Sequence, residues 1–291
     1  MAIVTHAAVS IGYLAATRLP KNAHVHSCFA HALNLIADDG YLFTLLDAEF
    51  YQNLPDAVCV DLPHNWDWRQ QANQDEAVQL TAEHIQSLRW QVKLSEAVVW
   101  QPRLSGKSLS LNALPEALQH YETLASQLLL YCLEHRVESD LFWASAPVSQ
   151  DESRLRLIPQ EQPESLENQV VKLIGYGKGL TPDGDDYLLG YLAALSPWKL
   201  TPELQAHQKR MQTLIAQHLA RTTDISRHYL SRALEGHFSQ PVCALQEQLT
   251  SQAQTSAVVH AAEQVMQFGA SSGVDCLAGM LHGLRNLKAT L

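Results

Sequence analysis

The sequence predicts an α+β fold, with a mainly antiparallel β unit over residues 1–112 followed by a larger helical, ligand-binding unit over residues 113–291. Three observations predict it. Apolar runs of strand length, broken by turn signals, fill the first third of the chain. Helical spacing of apolar residues takes over after Pro115. A stretch dense in Pro, Glu, Gln and Ser, residues 147–167, then reads as a connector within the helical part.

Taken in order, residues 1–20 form a moderately apolar stretch without the cationic start, long apolar centre and small-residue cleavage pattern of an export signal. His24 to Ile36 is an apolar run, Asp38-Asp39-Gly40 is a turn signal, and Tyr41 to Leu46 resumes the run as a hairpin partner. Ala57 to Leu62 and Trp90 to Leu104 read as further strands. Between them, His64 to Gln79 carries two tryptophans among many Gln and Asn and reads as a surface excursion or short helix. In the second part, Glu116 to His135 places Leu118, Tyr121, Leu124, Ala125, Leu128 and Cys132 at helical spacing. Strand alternation puts His24 and His26 on one face and His31 on the other, so these histidines do not gather around a metal, and no metal site is expected.

Composition limits the partners. Of 291 residues, 46% are hydrophobic, enough for one sizeable core or two smaller ones. Thirty acidic residues against twenty Lys and Arg give a formal charge of −10, whose field repels nucleic-acid phosphates and anionic lipid. Neither nucleic acid nor membrane is therefore expected as a partner, and an anion must be captured locally. The five cysteines are far apart and form no C-x-x-C pair, which fits buried thiols in a reducing compartment. With no apolar run of 18 residues, the chain is expected to be cytoplasmic.

The second half contains a short internal repeat. At an offset of 89 residues, Gly184, Asp186, Leu188, Gly190 and Leu192 align with Gly273, Asp275, Leu277, Gly279 and Leu281. Both copies read as helix starts, with Thr181 as an N-cap before Pro182 and with Ser272 and Asp275 as a capping box. Gly190 and Gly279 then fall inside the helices, where glycine costs about 1 kcal/mol relative to alanine. Close contact between the two helices would offset that cost, and it would bring Asp186 and Asp275 toward a common pocket.

Four segments carry candidate chemistry. Gly175, Gly177, Lys178 and Gly179, followed by Thr181, form a glycine-rich loop running into a helix start, where backbone N–H groups and the helix dipole suit a phosphate or carboxylate. The loop is neither a Walker A motif nor a dinucleotide fingerprint, and no cofactor is expected. Asp183, Asp185 and Asp186 crowd the first turn, where the dipole alone accounts for one or two of them. Beyond that, they could act as a general base, position an amide group or hold a divalent cation. Arg221, Thr222, Thr223 and Ser226 combine a charge with hydroxyls that suit a small acid, with Thr223 or Asp224 also capping the helix that follows. Ser271, Ser272, Gly273 and Asp275 repeat this chemistry, with capping as the equal alternative. No G-x-S-x-G elbow supports a hydrolase triad.

These motifs, in this order and spacing, resemble the family of the AllH subunit of bacterial oxamate carbamoyltransferase. The resemblance is carried by Gly175-x-Gly177-x-Gly179-Leu180-Thr181-Pro182 with Asp185-Asp186, then Thr222-Thr223 with Ser226, then Ser271-Ser272-Gly273-x-Asp275 and Gly279. It spans residues 170–285 most strongly and residues 27–46 more weakly. The resemblance implies carbamoyl transfer between phosphate and the nitrogen of a small acid such as oxamate, in an enzyme that needs two other protein subunits. Carbamoyl phosphate or a small carboxylic acid would be the anionic ligand. Asp185, Asp186 and Asp275 are the candidate catalytic residues, and the loop, hydroxyl and arginine positions above are the candidate ligand contacts. Asp183 stands where the family commonly has serine and Ala270 where it has a larger polar residue, which leaves the acceptor acid open. Two other readings compete: a non-catalytic scaffold or regulatory subunit that binds a small anion, and a self-contained metal-dependent enzyme using Asp185, Asp186 and Asp275.

Overall fold

The computed structural model describes residues 3–103, 108–139, 141, 155–251 and 253–289. The fold is α+β, and the chain divides between Pro102 and Arg103 into two compact units.

The first unit is built from nine strands. They are β1 (Val4–Gly12), β2 (Asn22–Cys28), β3 (Ala32–Ala37), β4 (Leu42–Asp47), β5 (Ala57–Asp61), β6 (Ala77–Leu80), β7 (His84–Gln86), β8 (Trp90–Lys93) and β9 (Val98–Trp100), with short helices α1 (Tyr13–Arg18) and α2 (Trp68–Gln71). The sheet runs β5-β4-β3-β2-β6-β7-β8-β1-β9, and a further pairing of β5 with β1 closes eight of the strands into a barrel. Most pairings are antiparallel; β4–β5, β1–β8 and β1–β9 are parallel. Closure depends on β1. One of its edges pairs with β5, and the other pairs first with β8 and then with β9. An irregularity between Ala8 and Ser10 bends it between the two.

The predicted turn at Asp38-Asp39-Gly40 joins β3 to β4, with Gly40 at φ 81°. The run from His24 to Ile36 is two strands rather than one, and Trp90 to Leu104 likewise contains β8 and β9; Leu104 lies outside the described residues. The stretch His64 to Gln79 contains the expected short helix, α2, and most of its polar residues are exposed, but its two tryptophans are not. Trp66 and Trp68 are buried, stacked edge-on with each other and with Trp90 at centroid distances of 5.3 and 5.1 Å, because indole rings carry too much apolar area to leave in water whatever their polar neighbours. His24 and His26 do share the outer side of β2, while His31 pairs with Asp47 at 3.1 Å. Strands β2, β3 and β4 are also linked by a polar ladder, with Thr44 donating to Asn34 at 2.8 Å and Asn34 to Ser27 at 2.9 Å.

The second unit contains α3 (Leu114–Leu118), α4 (Tyr121–His135), α5 (Pro163–Leu173), α6 (Asp183–Leu195), α7 (Pro202–His218), α8 (Asp224–Leu234), α9 (Gln240–Thr250), α10 (Thr255–Met266) and α11 (Ser272–Lys288). A two-residue parallel pair joins β10 (Leu109–Ser110) to β11 (Trp198–Lys199). The single helix expected over 116–135 is two, α3 and α4. The predicted connector lies partly outside the described residues, and its last residues, from Pro163, begin α5.

Helices α6 and α11 form the centre of this unit, and their contact has the reciprocity the repeat implies. A Cβ on Gly190 would stand 1.8 Å from the carbonyl oxygen of Cys276, and one on Gly279 would stand 1.9 Å from that of Tyr187. Tyr187 and Cys276 are themselves separated by the 89-residue offset, so each helix presents the same patch to the other, as in a two-fold interface. One turn on, a Cβ on Gly283 would lie 2.5 Å from that of Ala194. The glycines thus allow the backbones to touch, which no larger residue would permit.

Candidate functional site

The glycine-rich loop leaves α5 and bends back through three residues of positive φ, Gly175 at 76°, Gly177 at 114° and Gly179 at 84°. Gly175 and Gly177 are also sterically required. A side chain on Gly175 would meet the carbonyl oxygen of Arg221 at 2.7 Å, and one on Gly177 would meet the backbone nitrogen of Asp183 at 2.6 Å. Tyr176 accepts a hydrogen bond from the Gly184 N–H at 2.9 Å, tying the loop to the first turn of α6. The N–H groups of Gly177, Lys178, Gly179 and Thr181 have no hydrogen-bond partner among the described residues.

Asp185 holds this loop in place. It is buried, and its Oδ1 accepts from the Gly175 N–H at 2.9 Å, while its Oδ2 accepts from the hydroxyls of Thr222 and, at 2.6 Å, Ser226. Thr223 caps α8 as predicted, accepting from the Ser226 N–H at 3.1 Å, and its hydroxyl donates to the Leu180 carbonyl. The hydroxyls of the Thr222 to Ser226 segment are therefore used within the fold, in fixing the loop against the start of α8. Arg221 and Lys178 are exposed, and neither has an ion-pair partner among the described residues.

The start of α11 joins from the other side. Thr181 does not cap α6; Pro182 takes that position, and the Thr181 hydroxyl is hydrogen-bonded to that of Ser272 at 2.8 Å. Ser272 likewise forms no capping box, since it lies within the first turn of α11 and faces the other helix. In both cases the neighbouring helix start offers a hydroxyl partner that competes with the local cap. Ser271 donates to Asp183 at 3.4 Å. Gly273 faces the Val265 carbonyl, where a Cβ would stand at 1.9 Å, so its lack of a side chain serves packing against α10. The first turns of α6, α8 and α11 are thus stitched together by side-chain hydrogen bonds, and all three present their N-terminal, electropositive ends.

Asp186 and Asp275 differ from Asp185. Asp275 is fully buried and accepts from the Ser139 hydroxyl. Asp186 Oδ2 is covered and has no hydrogen-bond partner among the described residues. Burial pushes the Asp186 carboxyl well above the usual carboxylate range; a hydrogen bond from Ser272 works against this, and the negative charges of Asp275, Asp185 and Asp183 add to it. Burial, together with Asp186 and Asp275, also pushes the Cys276 thiol up. Among the described residues no three His, Cys, Asp or Glu side chains are placed to hold one metal ion.

Sequence reasoning missed a second buried polar group on the same helix pair. Tyr187 shares a hydrogen bond with His282 at 2.7 Å, and Tyr191 donates to the Leu157 carbonyl and is bonded to His207 Nε2, both at 2.7 Å, with Asn286 bonded to both Tyr191 and the Leu157 carbonyl. Burial lowers the His207 pKa to about 4. Helical periodicity identifies the face these residues occupy but not which partners meet there.

Two family models match the chain. Residues 173–284 match the oxamate carbamoyltransferase subunit AllH, and residues 5–99 match the AllH family N-terminal domain. No curated protein and no solved structure matches it. Among the described residues no helix is long and apolar enough to cross a membrane.

Proposed function

The chain belongs to the AllH family, and from that membership we propose that it is a cytoplasmic subunit of a carbamoyltransferase built with two other protein subunits. In this reading the complex moves a carbamoyl group between phosphate and the nitrogen of a small, oxamate-like acid. The site at the starts of α6, α8 and α11 binds the anionic substrate, carbamoyl phosphate or the carboxylic acid. One observation carries the reading: Asp185 clamps the glycine loop so that its amides from Gly177 to Thr181 remain without internal partners beside the helix starts. The loop from Gly177 to Leu180 is exposed, so these amides face solvent, where donors gathered beside a helix start suit an anion. Lys178 and Arg221 would add charge from the surface. Fixed donors of this kind lower a transfer barrier by orientation and by opposing the charge that develops on oxygen.

A scaffold role is the second reading. It is favoured by Asp185, whose oxygens are engaged by donors of the fold itself. Tagging the chain in its native host, purifying it gently and assaying what is recovered separates the two. The proposal expects stoichiometric recovery of two further subunits and carbamoyl-transfer activity that falls at least tenfold in the Lys178→Ala and Arg221→Ala double variant. Recovery of the chain alone, or a complex whose turnover ignores those substitutions, overturns it.

A further inference from the structure

Three carboxylates of α6 and one of α11 stand where an anion is proposed to bind, and an anion is repelled by every one that is ionised. Their surroundings divide them. Asp185 has three donors aimed at its two oxygens. Its neighbour Asp186 has an Oδ2 that is covered and has no donor among the described residues. A bare carboxylate oxygen taken out of water without a donor is far costlier than a neutral carboxyl group in the same place. The charges acting on Asp186 come from Asp183 and Asp185 on its own helix and Asp275 on α11, all negative. Of the other titratable groups nearby, Cys276 on α11 is acted on by Asp186, and Cys132 on α4 faces Asp275; both are thiols pushed up by burial and so neutral. The α8 segment contributes only the hydroxyls of Thr222 and Ser226, both directed at Asp185.

We propose that this site takes its anion only while Asp186 carries a proton, so that anion and proton bind together wherever Asp186 is otherwise ionised. This rests on the reading of the site as an anion site. Neutral Asp186 removes a negative charge from beside the helix starts, and a bound anion in turn favours the protonated form of Asp186, because binding and protonation are reciprocally linked. Two adjacent carboxyl groups on one helix thus take different parts, Asp185 accepting the hydrogen bonds that shape the loop and Asp186 as the titrating group.

The test uses the full chain and sulfate, whose own charge does not change over the range studied. Sulfate binding to wild type and Asp186→Asn is measured by calorimetry as pH is raised from the acidic side, and the Asp186 carboxyl is followed by carbon NMR. Wild-type affinity is expected to fall by roughly tenfold per pH unit once Asp186 ionises, since one proton is coupled to one anion. The Asp186→Asn profile is expected to stay flat, because the amide is neutral throughout. Equal profiles for the two proteins, or a carboxyl that titrates in the ordinary carboxylate range, overturn the proposal while leaving the anion site standing. Absence of sulfate binding at any pH sinks the anion site itself and the proposal with it.

Discussion

Asp185 and His207 illustrate how a single buried polar side chain can be tested without reference to turnover. Removing Asp185 as alanine leaves the Gly175 N–H and the hydroxyls of Thr222 and Ser226 without their acceptor. Three donors stranded together should cost about 3 kcal/mol in urea unfolding, with Asp185→Asn falling between because its amide keeps one acceptor oxygen. His207 gives a pH signature. Its pKa in the folded chain, about 4, lies below the ordinary value of 6.5, so the unfolded chain binds the proton more tightly. The stability this contributes is complete above pH 6.5 and is lost as pH falls through 4, amounting to about 3 kcal/mol over that window. Unfolding measured across the window should show this slope in the wild type and a flatter one in His207→Gln. Asp186 has the opposite sign: with its folded pKa raised, the wild type should lose stability relative to Asp186→Asn as pH rises above the ordinary carboxylate range.

Elements meet through glycine at the centre of the helical unit. Gly190→Ala or Gly279→Ala would drive a methyl group into a backbone carbonyl at under 2 Å, and neither helix can move without disturbing the other contact. A loss of about 3 kcal/mol is expected for each, read from thermal or urea unfolding. Gly179→Ala provides the contrast. Its surroundings are open and only its positive φ opposes a side chain, so about 1 kcal/mol is expected. The 89-residue repeat made the helix contact legible in advance because glycine inside a helix is unfavourable unless something needs the space. The helix starts were less legible. Thr181 and Ser272 have ideal capping chemistry, yet each hydroxyl finds the other across the helix pair. Capping rules consider only the next three residues of the chain, and the competing partner lay 91 positions away.

Across the whole molecule, each unit has its own hydrophobic core, one inside the closed barrel and one around α6 and α11. The sequence by itself determined the fold class, the β3–β4 turn and a cap at Thr223 or Asp224, of which the structure uses Thr223. Each of those is written in local terms, as a period of two or 3.6, a turn residue or a motif spacing. Only the tertiary structure decided that β1, an alternating segment of modest apolarity, closes the barrel between β5 and β8. Only it turned Trp66 and Trp68 inward, joined His207 and His282 to tyrosines on α6, and gave Asp185 three donors while leaving Asp186 Oδ2 with none among the described residues. The physical reason is the same throughout: these outcomes depend on which distant groups compete for one buried partner, and that competition is resolved by packing rather than by neighbours along the chain.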